Sequence, residues 1–192
     1  MMPSEAGGSG NQPADLTASL IVGLRGGDPQ AAAMLEDLYR EALVRFCWGY
    51  LGRIEEAEDA AQDVCYKILS ATTVPDSFRP WLYKTARNHC LNVLRQRGRQ
   101  QDGAELPAAS QIPELRSGHL TKLIRREQES RLGELVARLP EAQREVLRLR
   151  YVEGLSRGEI ASVLETPESV VKSRLFEGLK RLRDHASFAD ER

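Results

Sequence analysis

Leu155–Arg183, LSRGEIASVLETPESVVKSRLFEGLKRLR, holds two helix starts and one sharp turn, and it restricts the fold more than any other stretch. Ser156 followed by Glu159 is a capping box, in which the serine oxygen accepts from the backbone three residues on and the glutamate reaches back. A helix therefore begins at Ser156, with Ile160, Ala161, Val163 and Leu164 as its apolar stripe. Thr166-Pro167 then supplies a cap residue and a proline at the first helical position of a second helix. Val171, Leu175, Leu179 and Leu182 recur along it at steps of four, four and three, which defines one buried face. The outer face carries Ser169, Lys172, Ser173, Phe176 and Lys180. A short helix, a tight turn and a longer helix with a basic, hydroxyl-bearing outer face is the geometry of a major-groove reader. An ordinary helical hairpin with solvated lysines is the competing reading.

Whole-molecule charge does not decide between them, because 27 basic and 28 acidic residues leave a net charge of −1. Distribution is more telling. Arg79 to Gln101 holds six cations (Arg79, Lys84, Arg87, Arg95, Arg97, Arg99) and no acid, whereas Glu36 to Asp63 holds eight acids against three arginines. One surface suits an anion and another suits something basic. There is no apolar run near the roughly 20 residues of a membrane span and no basic-then-apolar leader, so a cytoplasmic protein is expected. Cys47, Cys65 and Cys90 are scattered, and the three histidines are isolated. Buried free thiols are expected, with no metal and no cofactor. Without a nucleophile beside a base, a phosphate-cradling glycine loop or a metal-ligand spacing, the pattern argues against an enzyme.

In chain order, residues 1–14 are rich in Gly, Ser and Pro and are expected to be disordered. Asp15 to Leu24 predicts a short helix closed by Gly26-Gly27. Asp28-Pro29 opens a long one to about Gly52, through Leu35, Leu38, Tyr39, Ala42, Phe46 and Tyr50. Glu55 to Leu69 predicts a third helix, buried through Ala57, Ala61, Val64, Ile68 and Leu69, with Glu58, Asp59, Gln62 and Asp63 outside. Ala71 to Pro80 reads as a loop. Trp81 starts a fourth helix, with Leu82, Ala86, His89 or Cys90, Val93 and Leu94 inside and Lys84, Arg87, Asn88, Asn92 and Arg95 outside. Residues 98–119 have no sustained period and predict a flexible linker. Helices resume at Leu120. One ends at Leu139-Pro140 and the next places Val146, Leu147, Leu149 and Tyr151 inside. The expectation is all-α: a helical bundle over 15–97 and a helix-turn-helix domain over 120–185, with a polar tail at 186–192.

The runs LPEAQREVLRLRYVEGLSRGEIA and PESVVKSRL, together with AEDAAQDV and SFRPWLYKTARNHCLNVLRQR, resemble the two-domain extracytoplasmic-function (ECF) sigma factors of bacterial RNA polymerase. The resemblance covers about Asp28 to Arg183. It implies promoter recognition, with core RNA polymerase and promoter DNA as partners and an inhibitory anti-sigma protein as relatives often have. It would make Asp59, Gln62 and Asp63 the polymerase-docking face. The loop and fourth helix, with Ser77, Arg79, Lys84, Arg87, Asn88, Asn92 and Arg95, would meet the minus-ten element. Ser169, Lys172, Ser173, Arg174, Phe176 and Lys180 would read the minus-thirty-five element, Arg174 through phosphate or structural contact. For Trp81, packing in the core competes with a role in holding a base. Several positions depart from the family pattern. Glu165 stands where glycine is usual, Cys65 where phenylalanine is, Ala60 and Ala61 where larger apolar residues are, and Glu177 where a base is frequent, with Gly178 next to it. The alternative is a helix-turn-helix regulator whose N-terminal bundle senses a ligand or dimerises.

Overall fold

The computed structural model describes residues 12–100 and 131–190, and no strand occurs among them. Four helices form the N-terminal half: α1 Gln12–Gly26, α2 Ala31–Leu51, α3 Ile54–Leu69 and α4 Phe78–Gln100. The C-terminal half contains α5 Arg131–Ala137, α6 Glu141–Leu147 with a π-helical continuation Arg148–Val152, α7 Arg157–Leu164 and α8 Glu168–Asp190. Residues 1–11 and 101–130, which include most of the predicted tail and linker, lie outside the described residues.

Local chemistry accounts for most boundaries. Gly52 ends α2 at φ 72°, its N–H bonded to the Trp48 carbonyl, a left-handed cap that a residue with a Cβ would adopt under strain. Where boundaries differ from expectation, proline is the reason at two of them. α1 begins at Gln12 rather than Asp15, and α4 at Phe78 rather than Trp81. Pro13 and Pro80 fall in first turns, where a missing N–H has no helical partner to lose. Arg79 therefore stands on a helix and not in the loop. At the other ends, α4 runs past Arg97 to Gln100 and α8 continues beyond residue 185 to Asp190.

In the N-terminal half, Leu20, Leu35, Leu43, Phe46, Val64, Ile68, Phe78 and Leu82 are fully buried. Ala60 and Ala61 are also buried, so the small residues allow α3 a close seat along α2. Cys65 fills part of the same layer, and burial pushes its thiol up to about 11. The choice left open on α4 resolves to Cys90, which is fully buried and touches Cys47, while His89 lies at the margin. Other expectations fail at the edges: Leu16, Leu69 and Leu179 are exposed. Tyr151 is also exposed, at 63%. Its error has a specific cause. The π segment closes with the Glu153 N–H bonded to the Arg148 carbonyl, and this wider turn shifts the helical phase and swings Tyr151 outward.

Ser156 caps α7 as expected: its Oγ accepts from the Glu159 N–H at 3.2 Å while Glu159 Oε2 accepts from the Ser156 N–H at 2.7 Å. Glu165 ends α7 at φ 51°, the one positive-φ residue other than glycine among the described residues. Gly178 also gains a reason. A Cβ there would lie 3.0 Å from Leu147 Cδ1 and 3.5 Å from Gln143 Cβ, so α8 lies close on α6 because residue 178 has no side chain.

The halves are in contact, chiefly through α4 and α7. Charged groups dominate that boundary. Glu145 accepts from the Tyr50 hydroxyl and, at 2.8 Å, from Arg87 Nε. Glu153, its side chain only 1% exposed, accepts from the Tyr83 hydroxyl at 2.7 Å and pairs with Arg45 at 3.2 Å. Its carbonyl accepts from Arg79. Lys84 meets Glu165 at 2.8 Å, and Arg148 donates to the Gly49 carbonyl at 3.1 Å.

Candidate nucleic-acid interface

Three faces carry the residues singled out from the sequence. On α3, Asp59, Gln62 and Asp63 are exposed opposite the buried stripe Ala57, Ala61, Val64 and Ile68. Tyr66, 73% exposed, continues the same face. It was missed, although its steps of four from Gln62 and three from Asp63 were visible in the sequence. Asp63 lies 3.5 Å from His89 Nε2, and Lys67 Nζ lies 2.8 Å from His89 Nδ1. An ammonium can only donate, so Nδ1 accepts and the ring is neutral. Burial, then the neighbouring Lys67 charge, holds His89 below its ordinary pKa against the opposing pull of Asp63.

The second face is α4 with the loop before it. Arg25, at the end of α1, braces that loop: its guanidinium donates to the Val74 carbonyl at 2.6 and 2.8 Å and to Asp76 at 2.7 Å. Ser77, Asn88, Asn92 and Arg95 are exposed, with Arg95 donating to Asn92 at 2.9 Å. Lys84 and Arg87, expected to face outward, and Arg79, expected in the loop, are instead half-buried and bonded to the C-terminal half. Arg97 pairs with Glu56 inside the N-terminal half. Burial works against the Arg87 charge, but the Glu145 carboxylate holds its pKa above the ordinary value. Lys84 holds the Glu165 carboxyl below its ordinary value. Burial, reinforced by Glu145 at Tyr50 and by Glu153 at Tyr83, keeps both phenols protonated. Trp81 is half-buried, edge-on to Phe78 with centroids 5.8 Å apart, so packing accounts for much of its surface.

The third face is the start of α8. Ser169, Lys172, Ser173, Phe176 and Lys180 are exposed, Phe176 by 67%, and Arg174 is half-buried as its partly inward direction requires. Glu177 turns out to be a brace: one oxygen accepts from Ser173 Oγ at 2.9 Å and the other from Gln143 Nε2 at 3.1 Å. The acid thus ties the outer face of α8 to α6. Sequence reasoning missed Glu145 and Glu153, and their only signal was two acids within a largely apolar run.

Among the described residues no cluster of His, Cys, Asp and Glu could hold a metal ion, and no helix is long and apolar enough to cross a membrane. The arrangement offers one acidic–aromatic protein face and two helix faces with side chains suited to phosphates and base edges.

Comparison with known proteins matches one family to each half of the chain. The sigma-70 region 2 family matches residues 35–100 and the sigma-70 region 4 family residues 129–182. The chain is 30% identical over 169 residues to the ECF RNA polymerase sigma factor SigW of Bacillus subtilis, covering 82% of this chain and 89% of that one. It is 32% identical over 171 residues to the ECF RNA polymerase sigma factor SigD of Mycobacterium tuberculosis, covering 82% and 78%. In fold it is similar to CnrH, solved in complex with the cytosolic domain of CnrY, with a TM-score of 0.63, 19% identity and coverage of 90% and 98%. It is likewise similar to RpoE of Bartonella quintana, solved with the anti-sigma factor NepR, with a TM-score of 0.63, 21% identity and coverage of 81% and 96%. The matches cover both halves in order, which displaces the reading of the N-terminal bundle as a sensor. The chain belongs to the extracytoplasmic-function sigma factors of bacterial RNA polymerase.

Proposed function

We propose that this sigma factor divides its work over the three faces just described. As a member of its family it binds core RNA polymerase and directs promoter recognition and transcription initiation. Asp59, Gln62, Asp63 and Tyr66 on α3 dock on the polymerase. Ser77, Arg79, Lys84, Arg87, Asn88, Asn92 and Arg95 engage the minus-ten element, chiefly through phosphates and the unstacked strand. Ser169, Lys172, Ser173, Phe176 and Lys180 read the minus-thirty-five element, Phe176 against a thymine methyl, with Arg174 on phosphate. The observation that carries this reading is that each half presents its own nucleic-acid helix, α4 with no acid in its run and α8 with exposed cations around an exposed aromatic. The chain performs no catalysis, works in the cytoplasm alongside the polymerase, and has an anti-sigma protein as its inhibitor.

Run-off transcription with purified core polymerase tests the assignment. Asp59→Arg with Asp63→Arg, one turn apart on an exposed face, should abolish both core capture and transcription while leaving the helical CD signal unchanged. Unchanged capture of core by the folded double variant refutes the docking face.

A further inference from the structure

Ser173 and Glu177 stand one turn apart on α8, and the hydrogen bond between them has a direction. A carboxylate has no proton to give, so at 2.9 Å it is Ser173 Oγ that donates and Glu177 Oε1 that accepts. A hydroxyl has a single proton. With that proton committed, Ser173 turns only lone pairs toward whatever faces it.

An exposed pair of this spacing on one helix is ordinarily weak. This one is clamped from a second helix. The other oxygen of Glu177 accepts from Gln143 Nε2 at 3.1 Å, and Gln143 is only 5% exposed on α6. Gly178 brings that anchor within reach, since a Cβ there would lie 3.5 Å from Gln143 Cβ and its absence lets α8 close on α6 beside Glu177. The carboxylate is therefore held between a buried amide and the serine hydroxyl, and both of its oxygens are in use.

In the major groove adenine N6 and cytosine N4 donate, whereas guanine O6 and thymine O4 only accept. A serine that still owned its proton could meet either kind. Without it, the hydroxyl pairs with an amino base and sets lone pair against lone pair at a keto base, a mismatch left unrelieved once water is excluded. Lys172, exposed beside it, is an ammonium that only donates, so the two neighbours read opposite chemistries.

We propose that Glu177 sets the base preference of Ser173: by holding the serine proton it makes Ser173 select an amino base, adenine or cytosine, at the position it faces in the minus-thirty-five element. Glu177 is thus a positioning residue that acts through Ser173. The proposal rests on the reading of α8 as the minus-thirty-five reader.

The test is holoenzyme binding to a promoter carrying every single-base-pair change across its minus-thirty-five element. With the native chain, one position should favour adenine or cytosine over guanine or thymine on one strand by about three- to tenfold, the scale of one hydrogen bond. Ser173→Ala should erase that preference at that position alone. Glu177→Gln is the deciding variant. Its amide oxygen can take the Gln143 N–H, which keeps the brace, while its NH2 donates to Ser173 Oγ and frees the serine proton for guanine O6 or thymine O4. The preference should then shift toward the keto bases, whereas bracing alone predicts no change. Glu177→Ala, with nothing to hold the proton, should level it. A preference at the Ser173 position that is unchanged in Glu177→Gln, a keto base preferred there by the native chain, or no effect of Ser173→Ala while Lys172→Ala relaxes another position each overturns the proposal. Failure of the underlying reading looks different: Lys172→Ala and Ser173→Ala then both leave the preference unchanged at every position of the element.

Discussion

Gly178 sits in the middle of α8, where alanine would ordinarily favour the helix by about 1 kcal/mol. The structure opposes that gain. A Cβ at residue 178 would stand 3.0 Å from Leu147 Cδ1 and 3.4 Å from its Cγ, against the 3.5–4.0 Å of comfortable carbon contact. Leu147 is 6% exposed and has little room to retreat, so overpacking costs about 1–3 kcal/mol. Gly178→Ala is therefore expected to lower stability by about 1 kcal/mol net. Leu147→Ala alone should cost about 2–5 kcal/mol by opening a cavity. In that background the obstacle is gone, and Gly178→Ala should instead stabilise by about 1 kcal/mol. The two changes are thus coupled by about 2 kcal/mol. Urea unfolding of the full chain followed by helical CD measures all four corners of the cycle. An effect of Gly178→Ala that is the same in both backgrounds would falsify the close seat of α8 on α6 as the reason for this glycine.

Glu165→Gly should raise the melting temperature, because relief of the left-handed backbone at φ 51° outweighs an exposed ion pair with Lys84; an unchanged or lower melting temperature refutes that balance. Lys172→Ala in holoenzyme should cost about 1–3 kcal/mol and relax base preference near the minus-thirty-five element. Arg95→Ala should weaken all promoters alike and lower the salt slope of binding by about one. Binding to single-base promoter variants at several salt concentrations separates them, and the reverse pattern exchanges reader and positioner. His89 has its folded-state pKa below the unfolded value of about 6.5, so the unfolded chain takes the proton more readily and stability falls as pH drops below that value. Urea midpoints at pH 7 and pH 5 should differ by less in His89→Asn than in the native chain, and an equal difference assigns the acid sensitivity elsewhere.

What the chain alone determined is what depends on residues three or four apart. The Ser156–Glu159 capping box, the stripe Ala57, Ala61, Val64 and Ile68, and the exposed Asp59, Gln62 and Asp63 opposite it are local matters of hydrogen-bond reach and helical period. The separation of six cations between Arg79 and Gln101 from the acids of Glu36 to Asp63 was likewise plain in the sequence. Where the local signal was itself ambiguous, boundaries slipped: prolines at 13 and 80 read as breaks but fit first turns, and the π segment shifted the phase that would have buried Tyr151. Tertiary structure alone decided the partners of the charges. Glu145 meets Arg87 across 58 positions, Glu153 meets Tyr83 across 70 and Lys84 meets Glu165 across 81, separations at which no periodicity carries information. A hydrogen bond needs its partner within about 3 Å and salt screens charges over about 10 Å, so the partner of a cation is set by which helix the fold brings beside it. For Lys84, Arg87 and Arg79 that neighbour is the chain's own second half.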